Sequence, residues 1–154
     1  MKKRNFQKGA SGTMMVLFCM IFVILLAIGI EWYRAVTLKE HIDIEIERAL
    51  NIAVELSMRD NYRRDHISNI DKDIAIAEFY DYLNQELSLD YNMSCYVNGR
   101  FQYRLVISNL YIDTEPPVLR ANGQIETQIS FLKYFGSFTY TIPFSIRSRN
   151  IRLE

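Results

Sequence analysis

The stretch Thr13-Met14-Met15-Val16-Leu17-Phe18-Cys19-Met20-Ile21-Phe22-Val23-Ile24-Leu25-Leu26-Ala27-Ile28-Gly29-Ile30 decides how the rest of the chain is read. Eleven of its eighteen residues are Val, Leu, Ile or Phe, and none is charged. At roughly −0.3 to −0.6 kcal/mol per large apolar residue, such a run contributes on the order of −3 to −7 kcal/mol to membrane insertion. At about 1.5 Å per residue it reaches roughly 27 Å, close to a hydrocarbon core of about 30 Å. The expected element is one transmembrane helix over residues 13–33, ending in the interface aromatics Trp32 and Tyr33. Lys2, Lys3, Arg4 and Lys8 precede it and act as topology determinants: residues 1–12 form a basic tail held in the cytoplasm. No later segment stays apolar for long, so a single pass places the remainder outside.

A cleaved signal peptide is the competing reading, because Leu26-Ala27-Ile28-Gly29 resembles a signal-peptidase exit. The apolar run is longer than the usual h-region of about 7 to 15 residues, and a helical pattern continues through the would-be cut. A retained anchor that keeps Cys19 is therefore expected. A lipoprotein is excluded at Cys19, since Val16-Leu17-Phe18 holds no small residue where lipid attachment needs one.

The chain has 154 residues and a formal charge of zero, but the charge is split. The first ten residues carry +4, which leaves −4 on residues 11–154. An acidic outer region is poorly suited to nucleic acid or to anionic lipid, and the lipid bilayer is the partner that the anchor implies. Cys19 and Cys95 fall on opposite sides of the membrane boundary and cannot pair within one chain. An exported region of this size without a disulfide framework points to a bacterial envelope rather than a eukaryotic secreted module, and the anchor places the chain in the bacterial cytoplasmic membrane.

Beyond Trp32, Ala35, Leu38, Ile42, Ile46, Ala49, Ala53 and Leu56 recur at spacings of three and four. At 100° per residue they fall within about 80°, a narrow packing stripe. No Pro or Gly interrupts residues 30–60, so the membrane helix is expected to continue as a helical extension over residues 34–60. The segment His41-Ile42-Asp43-Ile44-Glu45-Ile46 also alternates with period two, and the helical pattern on both sides overrides that strand signal. The stripe has two readings, burial against the chain's own domain or a seam for a partner helix.

Residues 61–154 read as an extracytoplasmic domain of one helix and a sheet. Ser68-x-x-Asp71 resembles a capping box ahead of a helix over about residues 69–87, whose apolar face is Ile76, Phe79, Tyr80, Leu83 and Leu87. Four segments then alternate as half-exposed antiparallel strands do, over about residues 91–97, 101–107, 119–131 and 138–146. Asn98-Gly99 invites a two-residue hairpin, but that register puts the two apolar rows on opposite faces. A three-residue loop of Val97, Asn98 and Gly99 is expected instead, pairing Cys95 with Phe101 and Met93 with Tyr103. In the last hairpin a Lys133-Tyr134-Phe135-Gly136 turn sets Phe131 opposite Phe138. Pro143 has no ladder donor and marks an edge strand, while Asn122-Gly123 is a candidate break in the third strand. The fold class is α+β: a transmembrane helix continuing outward, a second amphipathic helix, and a four-stranded antiparallel meander.

Chemistry has no candidate. His41 and His66 are the only histidines, and no cysteine or carboxylate set joins them, so no metal or other cofactor is expected. No nucleophile elbow, phosphate loop or zinc signature is present, and the chain reads as a non-enzyme. Ten tyrosines suggest a sugar platform, but most occupy alternating strand positions. Glu31 and Arg34, spaced i and i+3 at the outer membrane boundary, are the charged pair that stands apart.

Gly9 and Gly12 ahead of the apolar run, Ile30-Glu31-Trp32-Tyr33-Arg34 at its exit and an Ala-spaced helix after it resemble the TadE-like family of minor pilins. The match covers about residues 9–58. That resemblance implies a pilin-like fold, work in a tight-adherence pilus system, and other pilin-like or assembly-platform membrane proteins as partners. It casts Glu31 and Arg34 as an assembly pair. Pilins cut by a prepilin peptidase carry Glu five residues after the cleavage glycine; here Leu17 follows Gly12 and Met14 follows Gly9. The resemblance therefore implies a pseudopilin or assembly accessory rather than a processed shaft subunit. A membrane-tethered module binding a ligand or peptidoglycan, unrelated to pili, is the alternative.

Overall fold

In the computed structural model, the described residues are 7–58, 70–114, 117–130, 136, 138–149. The element order is α1 (Gln7–Ser57), α2 (Lys72–Glu86), β1 (Ser94–Val97), β2 (Arg100–Thr114), β3 (Pro117–Gln128) and β4 (Thr139–Arg147). The chain divides into two compact units, Met1–Val36 and Thr37–Glu154. The part of α1 from Thr37 onward belongs to the second unit.

In the first unit, α1 is long and apolar enough to cross a membrane, and the apolar side chains from Met14 to Ile30 are exposed. In the second unit, the expected rod ends at Ser57, whose hydroxyl donates to the Val54 carbonyl. Met58 and Ile70 form an isolated bridge and the Asp71 N–H donates to Ser57 O, so α2 begins beside the end of α1.

Asp71 itself caps α2, accepting from the N–H groups of Asp73 and Ile74. The expected box headed by Ser68 is thereby corrected, and Ser68 lies outside the described residues. A carboxylate accepts two helix donors without needing a hydroxyl three residues earlier, and a cap of this kind contributes about 1 kcal/mol. The buried positions of α2 are Ala75, Phe79 and Leu83, with Leu87 after its end. Ile76 is exposed, a second correction: Ala75 takes the inward place because its small side chain lets α2 approach the core.

The sheet is an antiparallel meander in the order β1-β2-β3-β4, as the alternation predicts. The first hairpin corrects the expected loop. Asn98 and Gly99 both have positive φ, 52° and 70°, and close a two-residue turn that pairs Val97 with Arg100 and Tyr96 with Phe101. The register then shifts between Cys95 and Tyr96, so that Cys95 meets Tyr103 with Gln102 as the extra residue. The bulge restores the apolar rows to one face, which the expected pairs Cys95–Phe101 and Met93–Tyr103 were meant to do. The carbonyl of Gln102 accepts a 2.8 Å bond from Thr127 Oγ1. β1 also starts later than expected, because the Asp90 carboxylate accepts from Asn92 and Ser94 N–H and turns the chain, leaving Tyr91 exposed.

β2 runs to Thr114, well past the expected end, and Asn122-Gly123 does not interrupt β3. A second register shift in β2, between Ile107 and Asn109, lies opposite Gly123 and Asn122. Gly123 is needed for closeness: a Cβ there would lie 2.2 Å from Val106 O and 2.6 Å from Phe144 Cζ. β3 and β4 pair Ile125 with Ile142 and Thr127 with Tyr140, and Ile129 N–H donates to Phe138 O at 2.9 Å. Phe138 therefore stands beside Ile129 rather than Phe131, a shift of two residues that keeps the same faces together. Residues 131 and 133–135 of the expected turn lie outside the described residues. Pro143 sits in edge strand β4 opposite Gln124, as its missing donor requires.

One core joins Ile42, Ile46, Ala49, Leu50, Ala53 and Val54 of α1 with Phe79 and Leu83 of α2 and with Tyr103, Leu105, Leu119, Ala121, Ile125 and Phe144 of the sheet.

Candidate functional site

Two places on the chain carry the residues that the sequence singles out, and each is taken on its own unit. In the first, Trp32 and Tyr33 are exposed, as interface aromatics must be to meet lipid headgroups. One turn of helix brings Arg34 Nη1 to within 3.3 Å of Glu31 Oε1. The pair leaves two opposite charges side by side at the end of an apolar run, where separate charges would resist entry into the interface. Ala35 beside it is half-buried. Of the topology determinants, Lys2, Lys3 and Arg4 lie outside the described residues, and Lys8 stands in the first turns of α1.

In the second unit, Ile42, Ile46, Ala49 and Ala53 of the stripe are fully buried in the domain's own core, and Leu38 packs against its margin. The packing thus follows the first of the two readings for these residues. Leu56 is the correction, at 56 % exposed. Leu50, Val54 and Ser57 are buried in its stead, because the line of contact turns around α1 toward its C-terminus. A straight stripe at fixed spacing misses that drift.

Polar contacts flank the buried row. Lys39 and Asp43 form an ion pair one turn apart. Glu47, expected to face solvent, is partly covered and meets Arg149 Nε at 2.9 Å, while the Arg149 N–H donates to Asn51 Oδ1. These bonds tie the segment after β4 to α1. Glu45 is the residue that sequence reasoning missed. It is buried, accepts from Arg48 Nη1 at 2.7 Å and lies 3.4 Å from the Tyr82 hydroxyl of α2. The available signal was the i, i+3 spacing of Glu45 and Arg48, masked by the apparent alternation around it.

Burial, with the charge of Glu45 behind it, raises the Tyr82 phenol above its ordinary pKa. Burial raises Tyr103 as well, helped by the Cys95 thiol across the strand pair. Both tyrosines are held as neutral hydroxyls. His41 is exposed, His66 lies outside the described residues, and among the described residues no three His, Cys, Asp or Glu side chains gather to hold a metal ion. What the two places do chemically is pack, pair charges and present surfaces.

Comparison with known proteins returns no match: no family model, no curated protein and no solved structure is similar to this chain.

Proposed function

We propose that the protein is a non-enzymatic, single-pass membrane protein of the TadE-like kind, a pseudopilin or pilus-assembly accessory. Its N-terminus lies inside the bacterial cytoplasmic membrane and its β-rich domain outside. The observation that carries the reading is α1: one unbroken helix supplies both an exposed apolar run and, from Ile42 to Val54, a core-forming face. The general pilin plan, an N-terminal rod whose outer part is built into an antiparallel sheet domain, has these same parts. Glu31 and Arg34, at the end of the apolar run, are the proposed assembly pair, and Lys2, Lys3, Arg4 and Lys8 fix the orientation.

The partners on this reading are other pilin-like or assembly-platform membrane proteins, met in the bilayer through the exposed half of α1. Among them, close helix approach rather than a hydrophobic force drives association, since lipid is as apolar as the helix. The test is affinity capture of the full-length protein from detergent-solubilised membranes of its own cells, with mass spectrometry of what comes along. Pilin-like subunits or a secretion platform protein are expected, and they are expected to be lost with Glu31→Gln combined with Arg34→Gln. Recovery of the intact protein with neither class of partner overturns the proposal.

A further inference from the structure

The face of the sheet turned away from the core carries an arrangement that the assembly role does not use. Strand pairing sets Tyr111 of β2 opposite Arg120 of β3, and Arg120 opposite Arg147 of β4. Paired residues on adjacent strands share a face, so the three side chains stand in one row across the sheet. At about 4.8 Å between strands, the row is roughly 10 Å long. Tyr111 is 51 % exposed, and both arginines are exposed.

Two like charges directly opposite each other weaken an antiparallel ladder, so the Arg120–Arg147 pair is held against the fold's own interest. Neither forms an ion pair among the described residues. Arg104 on the same sheet is answered by Glu126 at 3.9 Å, and Arg149 by Glu47 at 2.9 Å. Next along the sheet, Asn122 faces Ser145, whose hydroxyl donates to Asn122 Oδ1 at 2.7 Å. That bond fixes the amide and leaves its NH₂ donors to point elsewhere. An exposed aromatic face, two unanswered guanidinium forks and an oriented amide thus lie within one short patch.

We infer that this row is a binding site for an anionic glycan of the cell envelope, a polysaccharide carrying carboxylate groups. The C–H face of a sugar ring stacks on Tyr111, whose ring face is negative. Carboxylates on the chain take bidentate bonds from Arg120 and Arg147, whose planar forks match that group. Asn122 and Ser145 bond ring hydroxyls. A second copy of the chain, docking through the acidic residues of α2, is the competing occupant. A protein interface of that kind calls for an apolar centre, whereas this row is bordered on one side by the amide of Asn122 and the hydroxyl of Ser145 and on the other by the exposed Asp113 paired with Val118. The inference rests on the proposed orientation, with the sheet outside the membrane, and not on the pilus reading.

The test is calorimetric titration of the full-length protein in nanodiscs with oligogalacturonate, its methyl-esterified neutral form, and inorganic polyphosphate. Oligogalacturonate is expected to bind. Replacing either arginine, as Arg120→Gln or Arg147→Gln, is expected to weaken it about tenfold, the weight of one charge-assisted hydrogen bond. Tyr111→Leu is expected to weaken the charged and neutral oligosaccharides by the same factor. Arg100→Gln, at the far end of β2, is expected to change nothing, and circular dichroism of each variant checks that it folds. Absence of oligogalacturonate binding at low salt, or binding indifferent to both arginines, overturns the inference. So does polyphosphate binding as tightly without help from Tyr111, or salt-dependent self-association lost in the same arginine variants.

Discussion

Gly123→Ala tests whether the central register of the sheet is as tight as its geometry implies. An added Cβ would stand 2.2 Å from the Val106 carbonyl oxygen and 2.6 Å from Phe144 Cζ. Ordinary contact needs more than 3 Å, so β2 and β3 would have to part by about an ångström beside the second bulge. The phenylalanine ring can swing, but the carbonyl belongs to the backbone of the neighbouring strand and moves only with it. Overpacking costs about 1–3 kcal/mol, and a backbone obstacle puts this site at the upper end. Against that, alanine restricts the unfolded chain and returns only about 0.4–1 kcal/mol. The net loss is about 2 kcal/mol, which lowers Tm by roughly 5–10 °C in a domain of this size. Thermal unfolding followed by circular dichroism in detergent micelles reads it directly. Gly99→Asn is the comparison: Gly99 has φ of 70° and open space around it, and asparagine tolerates that conformation, so its expected cost is small. A Gly123→Ala protein as stable as the original would refute the close-approach argument.

Three further outcomes are expected. Ile46→Asp, a charge placed at a fully buried position, should cost several kcal/mol in urea unfolding, whereas Glu47→Lys, which removes a solvent-screened pair with Arg149, should cost no more than about 1 kcal/mol. The phenols of Tyr82 and Tyr103 are raised above 10.0 in the folded chain, so their protonated forms favour folding; stability is full below that value and should fall as pH rises past it. Tyr103→Phe should flatten the alkaline limb of a Tm-against-pH series, and an unchanged limb would show that this phenol is not the titrating group. Tyr91→Cys should react with a membrane-impermeant maleimide on intact cells, against little background because Cys95 is buried and Cys19 lies within the apolar run proposed to sit in the bilayer; labelling only after lysis would reverse the orientation.

Periodicity carried the fold wherever the backbone stayed regular. The apolar run, the α1 row from Ile42 to Ala53 and the alternation of four strands each follow from one fixed angle per residue, and each is present, with β1 beginning only at Ser94 and β2 running on to Thr114. Within the sheet, the register departs from simple alternation at the two bulges of β2, where an extra residue resets the count. In a straight strand pair a two-residue Asn98-Gly99 turn sets Tyr96 opposite Phe101 and carries the apolar rows to opposite faces. Gln102 resolves the conflict by bulging out, and Thr127, a buried residue of β3, donates its hydroxyl to the Gln102 carbonyl. That partner is 25 residues away in sequence. No local pattern marks Gln102 as the extra residue, because the bulge is chosen by what covers it.

Which candidate residues are legible follows from the same distinction between local and long-range contacts. Glu31 and Arg34 could be read because an i, i+3 pair at the end of an apolar run needs only local geometry. Glu45 could not, since its burial depends on Tyr82 from another helix. The row of Tyr111, Arg120 and Arg147 was equally hidden: its members are separated by 9 and 27 positions, and only the paired register brings them together. That register in turn depends on the bulge between Ile107 and Asn109. Without the extra residue in β2, Tyr111 would face the core and Ile112 the solvent, for a one-residue slip inverts every side chain beyond it. The bulge therefore does two things at once. It keeps Leu110 and Ile112 on the side of the hydrophobic core, and it turns Tyr111 out to stand beside the two arginines.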